Sequence, residues 1–242
     1  TRYVSSRTNR PYISVATAAS MDGYASSVAP MLHGGYKKTV SATHPEAIIA
    51  DLDILCQAPY PMTAAGFSDL LGKLNSRLDW KLSNIITGEH YCDYIIELVD
   101  NTVKTCIENA AGIYKREPEA IAGLIEGLIL SGIGMLVIGN SRPASGSEHH
   151  MSHFWEMKAM FEQRPQHFHG TKVGVATGVM AKFYQRFLTR NPADIDLTAL
   201  KQNRKSEDEW KTQVRNSFGP VAEDVIAVGK PVFLNWEEQK KQ

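Results

Sequence analysis

Four side chains in this sequence are of the types that converge on a metal ion. His149 and His153 stand four apart in Ser147-Glu148-His149-His150-Met151-Ser152-His153, just after a loop rich in serine, glycine and arginine (Ser141–Gly146). On a helix, residues four apart share one face, so these two imidazoles can meet a single ligand, while His150 turns about 100° away from His149. Neutral imidazole is a common ligand for zinc, nickel or iron. His169 precedes Gly170 and a second helix-like run of small residues, a place from which a side chain can point into a cleft. Asp69 lies in Ala64-Ala65-Gly66-Phe67-Ser68-Asp69-Leu70-Leu71-Gly72-Lys73, among small and apolar residues where a carboxylate needs a partner or a cation. Each feature also has a plainer reading. The histidines can be a solvated or hydrogen-bonded pair, and Asp69 an early-helix acid favoured by the helix dipole.

The elements that must position these groups change character along the chain. Residues 11–17 read as a short buried strand after a proline, running into a loop of small and polar residues, Ala18–Gly23. His33-Gly34-Gly35-Tyr36 reads as a hairpin turn with Lys37–Val40 as its returning strand, which leaves Lys37 and Lys38 as a solvated turn. Ala47–Leu55 is a further apolar strand. After Pro59-Tyr60-Pro61, Phe67, Leu70, Leu71, Leu74 and Leu78 recur at three- and four-residue spacing and predict one amphipathic helix from Met62 to about Trp80. Residues 91–111, 118–138, 147–163, 170–189 and 207–216 each read as helices. The expected fold is therefore mostly α: a remnant of an α/β domain over residues 1–58, then a helical metal- and substrate-binding domain over residues 59–242.

These pieces carry a resemblance. Thr17–Ser26, Ala50-Asp51-Leu52-Asp53, Ala65–Leu71, the run Ser141–His149 with His153, and His169-Gly170 occur in the order found in the sn-glycerol-1-phosphate dehydrogenase family. That family lies within the iron-containing alcohol dehydrogenase and glycerol dehydrogenase superfamily. The resemblance implies that Asp69, His149 and His169 are the protein ligands of one divalent metal, whether zinc, nickel or iron. It implies that His153 is a second histidine near the substrate, a candidate proton relay. Asp22 falls where the superfamily places a carboxylate near the polyol. Thr17, Ser20 and Ser26 fall on the loop facing the nicotinamide end of NAD(H) or NADP(H). Arg142 is a candidate for the substrate phosphate, because a guanidinium suits a bidentate phosphate contact. A surface ion pair is its other reading.

One departure concerns the cofactor cradle. The family's Gly-Gly-Gly turn, which holds the pyrophosphate, has no counterpart here. Gly132-Ile133-Gly134 sits inside an apolar helix-like run rather than between a strand and a helix. The expectation is a chain lacking the first half of the nucleotide-binding domain, with both ends cut.

The implied activity is metal-dependent, NAD(P)-linked reduction of dihydroxyacetone phosphate to sn-glycerol 1-phosphate by the full-length enzyme, a step of phospholipid metabolism. A dehydrogenase of glycerol or another unphosphorylated polyol, a lyase of the dehydroquinate synthase type, and a non-catalytic truncated binding module remain as alternatives. Composition bounds the partners. Lys+Arg and Asp+Glu each total 26 in 242 residues, so net charge is zero, which argues for a small molecule and against a nucleic acid. The three cysteines (Cys56, Cys92, Cys106) lack metal-type spacing and read as reduced thiols of a cytoplasmic protein. No uninterrupted apolar run reaches the roughly 18 residues of a membrane span. A helical domain can bury a partner surface, which leaves a homo-oligomer open.

Overall fold

Pro11 and the β-branched residues that follow hold the chain extended near its start, but two short sheets are all the β structure among the described residues. The computed structural model describes residues 1–33, 36–229 and 233–241. Helix α1 (Arg2–Thr8) leads into strand β1 (Ile13–Ala16). An antiparallel pair follows, β2 (Val28–His33) and β3 (Tyr36–Ser41), with His33 opposite Tyr36 and Val28 opposite Ser41. The expected hairpin thus has its strands in place, while Gly34 and Gly35 lie outside the described residues. Strand β4 (Ala47–Ala50) then returns to lie parallel to β1, Ile13 opposite Ala47 and Ala16 opposite Ala50.

The strand expected from Ala47 to Leu55 ends at Ala50. Asp51 stops it, because its carboxylate accepts hydrogen bonds from the backbone N–H groups of Asp53 and Ile54 and so caps helix α2 (Leu52–Gln57). The single helix expected from Met62 to Trp80 is two, α3 (Tyr60–Leu71) and α4 (Lys73–Thr87). They break at Gly72, whose N–H is shared between the Ser68 and Asp69 carbonyls. The apolar spacing continues across this kink, so periodicity alone does not reveal it.

Helices α5 (Asp93–Glu108) and α6 (Ala110–Lys115) precede α7, which spans Pro118–Ile138 as expected. Proline stands at its first turn and Gly139 ends it in the left-handed conformation (φ 79°). Ile121, Leu124 and Leu128 of α7 are fully buried with Val99 and Val103 of α5 and Leu70 of α3, forming the core of the helical body. Among the described residues α7 is the one helix long and apolar enough, by length and composition, to cross a membrane. The sequence expectation considered only uninterrupted apolar runs and did not anticipate this; burial of half the helix in the core accounts for its apolar character. Cys106 belongs to the same core, and all three cysteines are free thiols.

Helices α8 (Ser147–Phe161) and α9 (His169–Leu188) complete the body, and α10 (Leu197–Gln202), α11 (Glu207–Phe218), α12 (Ala222–Val228) and α13 (Trp236–Lys241) follow. Helix α9 crosses α3 at van der Waals contact. A Cβ on Gly170 would overlap the Ala65 carbonyl, and one on Gly174 would lie 2.6 Å from Ser68 Cβ. Helix α8 packs on α9 and α4. The ends of α3, α8 and α9 therefore meet at one point beside the loop that follows β1.

Candidate metal centre and its cavity

Asp69 is the tenth residue of α3, His149 the third of α8 and His169 the first of α9. One potential ligand atom from each lies within 4.8 Å of the other two. His149 Nε2 is 3.4 Å from Asp69 Oδ1, and the His149 and His169 ring centres are 5.2 Å apart. Asp69 is fully buried and His149 nearly so.

The arrangement around this trio fits a divalent cation. His149 Nδ1 is 2.6 Å from Glu148 Oε1, so Nδ1–H donates to that carboxylate and Nε2 is the ring atom turned to Asp69, free to bind a cation once deprotonated. A carboxylate that fixes the tautomer and orientation of an imidazole in this way is the usual support of a metal-ligating histidine. His169 Nδ1 is buried with no hydrogen-bond partner among the described residues. A buried, orphaned nitrogen is costly unless something binds there. Two imidazoles and one carboxylate suit zinc, nickel or iron and leave coordination positions for a substrate.

Electrostatics separate the histidines. Burial pushes His149 down, but its hydrogen bonds to the Asp69 and Glu148 carboxylates outweigh it and raise its pKa to about 8. Burial, helped by the charges of Lys37 and the neighbouring histidines, lowers His153 to about 2. Burial also holds His169 below its ordinary value. At Asp69 burial favours the neutral acid, yet the Lys73 ammonium and the hydrogen bond and charge of His149 hold the carboxyl well below the usual carboxylate range.

The trio opens on a cavity of about 230 Å3. Among the expected site residues, Asp22, Ser26, His149, His153 and His169 line it. The His153 ring centre is 6.1 Å from that of His149 and 5.7 Å from that of His169, close to the trio but outside it. Asp22 donates its backbone N–H to Asp69 Oδ2 at 3.0 Å, and its side-chain Oδ2 accepts from Ser131 and pairs with Lys73 at 2.7 Å. Ser26 is buried, its Oγ accepting from the Val28 N–H. Thr17 is exposed and Ser20 half-buried, and neither lines the cavity.

Arg142 is not brought to the cavity either. Its Nε is 2.9 Å from Glu89 Oε1 in a partly exposed ion pair. The Ser141–Ala144 turn aims the guanidinium outward, while Ser141 and Ala144 themselves touch the cavity.

Three residues to which the sequence reading gives no role in the site shape it. Glu148 supports His149. Lys73, one turn beyond Asp69 on the same side, bridges Asp69 and Asp22 with a fully buried ammonium. Lys37 is not a solvated turn residue: its side chain is only 10% exposed, lines the cavity and pairs with Glu156 at 2.8 Å. The Asp-x-x-x-Lys spacing is a visible sign of the Asp69–Lys73 pair, which stays in reach across the break at Gly72. Nothing local marks Lys37.

Comparison with known proteins concerns the chain as a whole. The sequence profile described as iron-containing alcohol dehydrogenase matches residues 1–59. The protein named glycerol-1-phosphate dehydrogenase, NAD(P)+, of Geobacillus thermodenitrificans is 42% identical over 209 residues, covering 86% of this chain and 50% of that protein. The chain is similar to proteins named glycerol-1-phosphate dehydrogenase over most of its own length, and to the iron-containing alcohol dehydrogenases over its first 59 residues. The protein of the same name from Bacillus subtilis is 37% identical over 245 residues, covering 97% of this chain and 61% of its own length. The chain spans about half the length of the curated proteins it matches. Glycerol dehydrogenase from Schizosaccharomyces pombe shares its fold with a TM-score of 0.61 at 19% identity, covering 98% of this chain and 68% of that one.

Proposed function

We propose that the protein catalyses NAD(P)-linked, metal-dependent reduction of dihydroxyacetone phosphate to sn-glycerol 1-phosphate in the cytoplasm. The observation that carries this reading is the Asp69–His149–His169 trio, its first two members buried, opening on a cavity that also holds His153 and Asp22. The names of the relatives supply the substrate and cofactor class. Residues 59–242 would form the metal- and substrate-binding domain. Residues 1–58, with their parallel β1–β4 pair, would belong to the nucleotide-binding domain, Ser26 lying at the nicotinamide end.

Asp69, His149 and His169 would hold the divalent metal. When bound, the metal supplies Lewis acidity at the substrate oxygen and the nicotinamide supplies the hydride. The chain's own residues do the rest. Glu148 keeps His149 in the tautomer that offers Nε2. Lys73 pairs with Asp22 and holds Asp69 ionised while buried. Asp22 receives a substrate hydroxyl. His153, held neutral, passes a proton by giving it up at one nitrogen and regaining one at the other, directly or through a water, and does not store an imidazolium.

The test is an assay of NADH and NADPH oxidation by the whole protein with dihydroxyacetone phosphate and with dihydroxyacetone. A preference of about a hundredfold or more for the phosphorylated ketone is expected, since a remote group that binds also orients the carbonyl. Equal rates would favour an unphosphorylated polyol dehydrogenase, and no oxidation with either a non-catalytic role.

A further inference from the structure

The cavity wall carries a group of charges that no step above uses. Glu156 lies two turns beyond His149 on α8, and Lys172 lies one turn beyond His169 on α9. The helices that bring the histidines together therefore bring these two together as well. Strand β3 adds Lys37 from the opposite side. Both ammonium groups converge on one oxygen: Glu156 Oε2 is 2.8 Å from Lys37 Nζ and 3.5 Å from Lys172 Nζ. The side chains are 10%, 17% and 11% exposed for Lys37, Glu156 and Lys172.

One carboxylate against two ammoniums leaves an excess of one positive charge in a largely desolvated place. Lys172 has a further acceptor in the His167 carbonyl at 3.0 Å. Lys37 is the member that lines the cavity, and its charge reaches His153 and His169 there. The other guanidinium or ammonium on that wall is Arg2, which is spent on backbone: it donates to the carbonyls of Val28 (2.8 Å) and Gly23. A cationic excess on the wall facing the histidines is what a substrate with a phosphate end requires, and it has no use for a neutral triol.

We propose that Lys37 is the phosphate-binding group of this site, held ready by Glu156, and that Lys172 keeps Glu156 neutralised when Lys37 turns to the phosphate. This rests on the reading of the cavity as the substrate site and adds the residue that selects a phosphate monoester over a free polyol. Lys172 is then a positioning residue, acting through Glu156.

The experiment is calorimetric titration of the whole protein with inorganic phosphate, comparing wild type with Lys37→Gln, Lys37→Arg, Lys172→Gln and Arg2→Gln at equal metal content. Lys37→Gln should weaken phosphate binding by about tenfold to a hundredfold, the range for losing a hydrogen bond to a charged group. Lys37→Arg should restore most of it, and Lys172→Gln should weaken it less. In turnover, Lys37→Gln should raise KM for dihydroxyacetone phosphate far more than it lowers kcat. Unchanged phosphate affinity in a folded Lys37→Gln, or loss confined to Arg2→Gln, would overturn the proposal. If Lys37→Gln does not fold, Lys37→Arg and Lys172→Gln decide by the same comparison. The two readings fail separately. Phosphate binding that depends on Lys37 in a protein reducing no ketone sinks the reaction and spares this site, and the reverse result sinks this site alone.

Discussion

The Lys73 ammonium lies 2.7 Å from the Asp22 carboxylate, with the lysine side chain fully buried and that of Asp22 10% exposed. Asp69 Oδ1 is 3.4 Å from the same nitrogen. Burial alone would strip the proton from this lysine, but Asp22 and Asp69 more than compensate and raise its pKa. Lys73→Met keeps the bulk and removes the charge, leaving two buried carboxylates without their common partner. A stability loss of about 3–5 kcal/mol is expected, the range for breaking a buried pair from one side. Urea denaturation of the metal-free protein measures it. A loss under about 1 kcal/mol would mean that water, not Lys73, satisfies these carboxylates.

Metal content should separate the three histidines. His149→Ala and His169→Ala each remove a proposed ligand, so bound metal measured by elemental analysis should fall sharply. His153→Ala should keep its metal and lose turnover by about a hundredfold or more, the scale of a proton-transfer group. Full metal retention in His149→Ala would remove the ligand assignment. Metal loss in His153→Ala would move that residue into the ligand set.

Glu148 sharpens the same site without touching the ion. Replacing it by Gln leaves the shape but weakens the acceptor for His149 Nδ1–H. Loss of such a supporting carboxylate lowers metal affinity about 10–100-fold. Competition with a chromophoric chelator would give the ratio, and an unchanged affinity would show that Glu148 only fills space.

The pH dependence has a definite sign. In the metal-free protein the pKa of His149 rises from 6.5 to about 8, so its contribution is fully present below pH 6.5 and is lost as pH climbs through 8. That shift corresponds to about 2 kcal/mol. His153 and His169 are shifted the other way, so their contribution is present above pH 6.5 and falls away as the solution is acidified. A ligating imidazole must be neutral, so metal binding at pH 7 should release about one proton, from His149, and none above pH 9. Titration calorimetry in two buffers of different ionisation enthalpy counts it. Zero release at pH 7 would place His149 outside the ligands or leave its pKa unshifted.

What the sequence disclosed depended on how local each cause was. Helix α7 was readable to the residue because a proline, a continuous apolar run and a glycine mark its limits within the helix itself. The strand at 47–50 was overextended because Leu52, Ile54 and Leu55 look equally strand-like. Only the capping hydrogen bonds of Asp51 tell them apart, although Asp51-Leu52-Asp53 was a visible sign. Strand β2 is implied by the hairpin turn but its extent is not, because Pro30 interrupts its pattern, which an outer strand tolerates. Asp69, His149 and His169 came from ordered motifs, and their meeting depends on a helix crossing that no spacing encodes. Lys37 and Arg142 were exchanged in kind: the one assigned to solvent lines the cavity, and the one offered for the phosphate pairs with Glu89. Both outcomes are set by residues more than 50 positions away, Glu156 and Glu89, so neither was available to a local reading.

The helix crossing itself is open to test through Gly170. A Cβ there would overlap the carbonyl oxygen of Ala65 on α3, and that backbone cannot yield as a flexible side chain would. Gly170→Ala must therefore push α9 away from α3 at the turn that carries His169, while Asp69 stays on α3 only four residues beyond Ala65. Overpacking of this kind destabilises by about 1–3 kcal/mol. The larger effect should fall on metal binding, because the displacement separates one ligand from the other two. Gly178→Ala is the control, since a Cβ at that position on the same helix meets nothing within 4 Å and should raise helix stability slightly. A Gly170→Ala protein with wild-type metal affinity would show that the contact between α3 and α9 does not set the geometry of the site.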